Sequence, residues 1–529
     1  MTIESANNLD VMIQRTRRNT LGDLLTRSVA RNPEKQAFIF GERKVTYKQL
    51  DQLVNKIANG LIKRGIKKGD RLAIFSKNNL DFVIITFALA RIGAVLIPVN
   101  YMLRGKDIAY ILEHAGAKGI FTEKEHITTI EEATPHLSLT YKFIIECEKQ
   151  VEQSDWTRLV DVQQAGSDNP IVATLYDDDL AQILYTSGTE SDPKGVMLSH
   201  KSIISEYVSC VVDGNMHTND VLVHALPFYH SAQLHVFLGP SIYLGASGII
   251  LAEANPVTIM ETIERHEANQ LFAPPTVWIA LLRHADFDSY NLNSLEKCYY
   301  GAAIMPREIL RELTKRLPNA QFWNFYGQTE VAPLATALQP EDQLRKLGSA
   351  GKPTLHVETK IVDDHGDEVD RGEIGEIVHR TPHAMLGYLN DPEQTAESFK
   401  NGWFHSGDLG TMDEEGYITI VDRKKDIIIS GGVNVASREV EEVIYLMDEI
   451  AEVAVIGIPD DYWIEKITAI IIPKDGETLS SEQVIDFCGQ HLPSFKTPKE
   501  VYFHETLPKN PSGKVLKKDL RDMFTKESE

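Results

Sequence analysis

The stretch RLAIFSKNNLDFVIITFALARIGAVLIPVN, residues 71–100, decides the fold class. RLAIFS (71–76) is a short apolar run and predicts a strand. LDFVIITFALARIG (80–93) has helical length and closes on a glycine, a common helix stop. AVLIPVN (94–100) predicts the next strand. Strand, helix and strand in that order form a βαβ unit, which requires parallel pairing and helices covering the sheet. The rhythm recurs in KGIFTE (118–123), YKFIIECE (141–148) and SGIILAE (247–253), the last followed by the helical PVTIMETIERHE (256–267). An α/β fold with substantially parallel sheet is therefore expected.

From about Leu355 the texture changes. HVETKIVDDHGDEVDRGEIGEIVHR (356–380) sets the turn pairs His365-Gly366 and Arg371-Gly372 between short alternating runs, which predicts an antiparallel β subdomain. GYITIVDRKKDIIISGG (416–432) reads as a hairpin followed by a charged joint at Arg423–Asp426. SREVEEVIYLMDEIAEVAVIGIPDD (437–461) then predicts helix and strand, ITAIIIPKD (467–475) a strand and SSEQVIDFCGQHL (480–492) a helix. Together they make a compact C-terminal α+β domain.

The chain has 529 residues, 43% of them hydrophobic and 25% charged, which excludes a disordered, collagen-like or disulfide-scaffold protein. Its net charge of −22 repels nucleic acid, so no nucleic-acid partner is expected. The charge is segregated: residues 1–71 carry 15 Lys/Arg against 7 Asp/Glu, which reads most simply as a solvated basic face. Cys147, Cys210, Cys298 and Cys488 are widely spaced and fit a reduced, cytoplasmic protein. The opening MTIESANNLDVMIQR has no long apolar core, so no signal peptide is expected. Leu234–Ala252 is the most membrane-like stretch, but His235, Pro240 and three glycines interrupt it, and it reads as a buried helix, a turn and a strand.

Four segments carry chemistry. Tyr185-Thr186-Ser187-Gly188-Thr189-Glu190-Ser191-Asp192-Pro193-Lys194-Gly195-Val196 follows the strand-like DLAQILY. Its hydroxyls and glycines let backbone N–H groups close around phosphate oxygens, and Lys194 adds a point charge. It is not a Walker A loop, because no Gly-Lys-Ser/Thr opens a helix. Taken alone, such a loop is more often a plain turn. In NFYGQTE (324–330), Tyr326 can stack on a base, Thr329 can contact phosphate and Glu330 can hold Mg²⁺. In SGDLG (406–410), Asp408 can accept both hydroxyls of a ribose, and Arg423 follows in DRKKD. LPKNPSGKVLKKDLR (507–521) places Lys514 in a Pro/Gly/Ser loop, where a lysine alone would read as surface charge.

In this order and spacing, the segments resemble the acyl-adenylate-forming (AMP-binding) superfamily along nearly the whole chain, from about Thr20 to Arg521, and in particular bacterial fatty-acyl-CoA synthetases. The resemblance implies a large N-terminal domain of stacked sheets and helices with a β subdomain, residues 1–423, and a small mobile C-terminal α+β domain, residues 424–529. It implies ATP, Mg²⁺ and coenzyme A, a small carboxylic acid as substrate, and fatty-acid metabolism. A homodimer is compatible with it, and no transmembrane segment is expected. The catalytic set it implies is Lys514, Thr186, Glu330 and His230. The nucleotide- and coenzyme-contacting set is Thr186, Ser187, Gly188, Thr189, Lys194, Gly301, Ala302, Ala303, Asn324, Tyr326, Gly327, Thr329, Asp408, Arg423, Gly431 and Gly432. Glu330 and Thr186 are the implied metal ligands, and Lys425 matches the hinge.

The chemistry agrees with that assignment. Attack of a carboxylate on the α-phosphate is an in-line displacement between anions, so positioning and charge neutralisation supply most of the catalysis. A lysine on a mobile domain can withdraw after the first step and clear a path for the thiol.

Two departures stand out. Thr189-Glu190-Ser191 stands where most relatives carry Thr-Thr-Gly or Ser-Thr-Gly, and Glu190 is expected to face away from the phosphates. Ser437 stands where many relatives have proline. The acyl site is expected beside ALPFYHSAQLHVF (225–237) and GAAIMP (301–306), with Phe228, Val236, Phe237, Trp278, Tyr300, Ala302, Ala303, Val331 and Ala332 as candidate lining. That lining favours an apolar acid, a medium- or long-chain fatty acid or alternatively an aryl acid. An acyl-CoA ligase, a stand-alone enzyme loading a carrier protein and a non-catalytic relative all remain open on the sequence.

Overall fold

The computed structural model describes residues 9, 12–146, 155–186, 193–301, 303, 305–460, 462–474, 476–509 and 515–527. The chain is α/β, with a large N-terminal part and a smaller C-terminal domain. Contacts group the described residues into two compact units. One holds the residues up to Thr186, Pro193–Glu358 and Arg380–Glu397; the other holds Thr359–His379 and Ser398–Glu529. The strands of the expected β subdomain therefore cluster with the C-terminal residues.

The first unit carries two large sheets. Among the described residues, an eight-stranded sheet runs Gly387–Tyr388, Lys194–Ser199, Leu180–Thr186, Val95–Val99, Arg71–Phe75, Gly119–Glu123, Tyr141–Ile145 and Thr157–Arg158. A nine-stranded sheet runs Lys352–Pro353, Leu334–Leu338, Gln321–Gly327, Lys297–Gly301, Gln270–Phe272, Val221–His224, Ser247–Ile250, Gln36–Phe40 and Arg43–Thr46. Their central strands are parallel, as the βαβ rhythm requires.

The helix Leu80–Ile92 shows why its sequence is apolar apart from Asp81, Thr86 and Arg91: all of its residues are buried. One core cluster joins Phe38 and Ile250 of the nine-stranded sheet to Leu72, Ile74 and Leu96 of the eight-stranded sheet through Phe82, Val83 and Leu89 of this helix. A helix sandwiched between two sheets has no polar face to offer. Asn79 accepts from the Phe82 N–H at 2.8 Å to start it, and Gly93 in a left-handed conformation ends it. The stretch from Leu234 resolves into a π-helix, Ala232–Leu238, an α-helix, Gly239–Leu244, and the strand Ser247–Ile250. Among the described residues no helix is long and apolar enough to cross a membrane.

Among its described residues the second unit contains two five-stranded sheets. The first is antiparallel: Glu358–Val362, Gly375–Arg380, Trp403–Met412 and Phe399–Lys400 in order, with Ile418–Arg423 paired to Trp403–Met412. The second has Val433–Val435, Ile428–Ser430, Ile464–Pro473 and Ile450–Asp460 in order, with Glu500–Phe503 alongside Ile464–Pro473. The helices Ser437–Ile444 and Ser481–His491 supply Val440, Ile444, Val484 and Cys488 to its core.

Candidate functional site

The expected phosphate loop springs from a tight pair of strands. Leu180–Thr186 and Lys194–Ser199 are antiparallel, and Thr186 is the direct partner of Lys194. Ser187, Gly188, Thr189, Glu190, Ser191 and Asp192 lie outside the described residues. Lys194 Nζ donates to Gln394 Oε1 at 2.7 Å and stands 5.2 Å from the centre of the Tyr388 ring. The short strand Gly387–Tyr388 adds to this sheet edge through Tyr388↔Val196, so the ring position is fixed by backbone pairing.

The second expected segment leaves the end of the strand Gln321–Gly327. Gly327 has a steric reason to be glycine: a Cβ there would lie 1.8 Å from the Pro333 carbonyl oxygen. Gly301 pairs with Phe325 in the next strand. Asn324 Nδ2 donates to the Ser349 carbonyl at 2.9 Å, and Tyr326 is half-buried. Thr329–Val331 forms a single 3₁₀ turn. There the Thr329 and Ser231 hydroxyls are 3.0 Å apart, and Tyr388 OH donates to Glu330 Oε1 at 3.0 Å. Ala303 is exposed, and Ala302 lies outside the described residues.

A line of side chains thus runs Gln394, Lys194, Tyr388, Glu330 on one side, with Thr329 and Ser231 beside it. His230 is adjacent to Ser231 and its Nδ1 accepts from the Ala232 N–H at 3.2 Å. Surrounding protein pushes its pKa down to about 4, so the imidazole is neutral at pH 7. The sequence reading found Lys194, Thr329 and Glu330 but missed Tyr388, Gln394 and Ser231. Tyr388 lies in an apolar AMLGYLN run and carries no local sign that it differs from a core aromatic.

The remaining described site residues belong to the second unit. Asp408 and Arg423 are cross-strand partners, and Arg423 Nε lies 3.3 Å from Asp408 Oδ1. Their spacing in sequence is that of a hairpin, which puts carboxylate and guanidinium side by side. Lys425 follows in the turn Arg423–Asp426, closed by Asp426 N–H donating to the Arg423 carbonyl at 2.9 Å. Gly431 and Gly432 form the two-residue loop between Ser430 and Val433, with φ of +59° and +82°. A hairpin of that type needs left-handed backbone at both positions, so the tandem glycine is explained by the turn itself. Lys514 lies outside the described residues.

Ser437 has a use that a proline could not serve. Its backbone N–H and its hydroxyl both donate to Asp422 Oδ2, at 2.6 and 2.7 Å. Proline has no N–H and no hydroxyl. The carboxylate sits at the N-terminus of the helix Ser437–Ile444, where negative charge is favoured.

The profile of the AMP-binding enzyme family matches residues 25–389, and that of the AMP-binding enzyme C-terminal domain matches residues 439–514. The chain belongs to the AMP-binding enzyme family. As a member it is an AMP-forming acid–thiol ligase of the acyl-CoA synthetase class. It is 32% identical to a feruloyl-CoA synthase of an Amycolatopsis species, over 96% of this chain and 100% of that protein. It is also 32% identical to a long-chain-fatty-acid–CoA ligase of Mycobacterium tuberculosis, over 96% of this chain and 98% of that one. An O-succinylbenzoate coenzyme A synthetase of Bacillus subtilis, solved with ATP and a magnesium ion, superposes with a TM-score of 0.84 at 27% identity, covering 94% of this chain and 99% of that one.

The aromatic candidates for the acyl lining of this AMP-binding enzyme fall into three packing clusters. Phe228 packs on Phe82 and His224. Phe237 stacks on Phe272, with ring centres 4.4 Å apart, and also packs against Tyr299. Trp278 meets Phe322 edge-on and donates its indole N–H to the Tyr299 carbonyl, while Tyr300 OH donates to Gln343. All of these aromatics are buried, and their rings contribute to the core whatever else they border.

Proposed function

We propose that this enzyme joins a carboxylic acid to ATP as an acyl-adenylate, releasing pyrophosphate, and then transfers the acyl group to coenzyme A. The observation that carries the reading is the line from Lys194 through Tyr388 to Glu330, which links the flank of the phosphate loop to the proposed metal ligand. The first step forms a carboxyl-oxygen to α-phosphorus bond and breaks the bond to pyrophosphate. Two anions must approach, so cations near the phosphates lower the barrier most. Lys194 and the loop 187–192 would hold the β- and γ-phosphates, Thr329 the α-phosphate, Tyr326 the base, and Asp408 with Arg423 the ribose. Lys514 would bridge the attacking carboxylate and the α-phosphate.

Glu330 and Thr186 offer oxygen donors, the class Mg²⁺ prefers, so the side chains present fit that ion. The bound ion would neutralise phosphate charge. ATP and magnesium in the Bacillus subtilis relative support this part. The domain boundary is proposed at 423/424, with Lys425 as the hinge of a mobile C-terminal domain. The described free thiols, Cys210, Cys298 and Cys488, are buried and support a reducing compartment, the cytoplasm.

The favoured substrate is a medium- or long-chain fatty acid. It is supported by the apolar side chains of 225–237 and 301–306 and by likeness to the Mycobacterium tuberculosis ligase. A second reading, an aryl acid, is favoured by the equal identity to the feruloyl-CoA synthase. A panel of fatty, aryl, amino and dicarboxylic acids, with and without coenzyme A, tests both. Fatty acids should give the highest kcat/KM for pyrophosphate release and a matching acyl-CoA. Higher values for aryl acids would select the second reading. Acid-dependent release with no thioester on coenzyme A would point to a carrier-loading enzyme, and no release with any acid to a non-catalytic relative.

A further inference from the structure

The segment 328–334 is strained and heavily anchored. Ala332 is left-handed at φ +71°, a conformation L-residues other than glycine rarely hold. Such backbone persists only where its surroundings over-determine it. Gln328 N–H donates to the Pro333 carbonyl at 3.0 Å, and Met385 N–H to the Glu330 carbonyl at 2.8 Å. Two buried side chains complete the set. Glu206 Oε1 accepts from the Leu334 N–H at 3.1 Å, and His383 Nδ1–H donates to the Val331 carbonyl at 2.5 Å.

Neither side chain is where packing alone would put it. Glu206 and His383 are both fully buried. Glu206 lies on the helix His200–Asp213 and has no ion-pair partner among the described residues; its other neighbour is the Cys210 thiol, which donates to the same oxygen at 3.4 Å. Burial raises its pKa well above the usual carboxylate range, which favours the neutral carboxyl. An apolar residue at 206 would pack at lower cost but leave the Leu334 N–H without an acceptor. His383 is likewise held neutral, with a pKa pushed down to about 4, and carbonyl acceptance fixes its proton on Nδ1.

We propose that Glu206 and His383 are positioning residues that hold the segment 328–334 at two points and so fix Thr329 and Glu330 for the ATP-dependent step. The inference rests on the roles given to Thr329 and Glu330 above. Glu206 acts through the backbone four residues beyond Glu330, and His383 through the residue next to it.

The test uses the full chain with E206A, E206Q and H383A. Two measurements are made: amide hydrogen exchange, and acid-dependent pyrophosphate release against Mg·ATP. E206A and H383A should speed exchange in 328–335 while leaving the helix Leu80–Ile92 protected. They should lower kcat/KM for Mg·ATP by about tenfold to a hundredfold, the scale of a small misplacement of catalytic groups. E206Q keeps the acceptor oxygen and should recover most of both losses. Wild-type exchange in 328–335 of E206A would overturn the clamp. So would faster exchange everywhere at once with no recovery in E206Q, because the carboxyl would then serve global stability alone. If the unaltered protein releases no pyrophosphate with any acid, the proposed function fails, and the exchange data still decide whether the clamp exists.

Discussion

Tyr388 donates its phenol to Glu330 Oε1 at 3.0 Å while its ring lies under the Lys194 ammonium. One aromatic therefore spans two groups of opposite charge that the proposed reaction needs. Y388F removes the hydrogen bond and keeps the ring. A hydrogen bond to a charged group is worth about 1.5–3 kcal/mol, so the Mg·ATP concentration at half-saturation should rise at least about tenfold. Melting temperature should change little. Titration of pyrophosphate release with Mg·ATP checks this, and an unchanged half-saturation would show that the phenol does not orient Glu330.

Asp408 and Arg423 meet at 3.3 Å as cross-strand neighbours, with the Arg423 side chain about one-third exposed. A partly exposed pair adds at most about 1 kcal/mol to stability. D408A should therefore leave the fold intact and weaken AMP binding by an order of magnitude or more, if the carboxylate holds the ribose. Calorimetric titration with AMP and with inorganic pyrophosphate separates the cases. Equal loss for both ligands would argue against a ribose contact.

Lys514 is assigned to adenylate formation alone. K514A should cut acid-dependent pyrophosphate release by about 10²–10³-fold, the usual cost of losing one transition-state donor. Thioester formation from supplied acyl-adenylate should persist. Equal loss in both half-reactions would remove the lysine from its assigned step.

Four fully buried histidines give the fold an acid limit. Burial lowers His200 and His383 to about 4 and His224 and His235 to about 3. The unfolded chain protonates these groups near the ordinary value of about 6.5, while the folded chain resists, so stability falls as pH drops from there toward 4. Each contributes a slope of up to about 1.4 kcal/mol per pH unit. Glu206 acts in the opposite direction: its raised pKa makes the native state lose stability as pH climbs above the ordinary carboxylate value. Urea unfolding across this range should show a steep acid limb, and E206Q should flatten the limb above it. A pH-independent midpoint between 6.5 and 4 would contradict the neutral-histidine assignment.

Much of the fold was legible because its elements follow local patterns. The strand, helix and strand of residues 71–100 appear as Arg71–Phe75, Leu80–Ile92 and Val95–Val99. Length, apolar content and the closing glycine were sufficient. The tandem Gly431-Gly432 reads in sequence only as a coenzyme contact, and its hairpin turn comes from the pairing of Ser430 with Val433. Less legible was the role of aromatic side chains. Phe228, Phe237 and Trp278 read alike in sequence, and each is packed in a different part of the core. Which neighbour meets a ring depends on elements far away in the chain.

The sequence by itself determined the α/β class, the order of the motifs and the kinds of side chain available for phosphate, metal and ribose. Those depend on residue type and short-range spacing. Only the tertiary structure decided which groups meet. Lys194 reaches Gln394 across 200 residues, Tyr388 reaches Glu330 across 58, and Glu206 reaches the Leu334 amide across 128. No periodicity encodes such contacts. They follow from sheet edges and buried helices that bring distant backbone together, and burial then sets whether Glu206 and His383 carry charge.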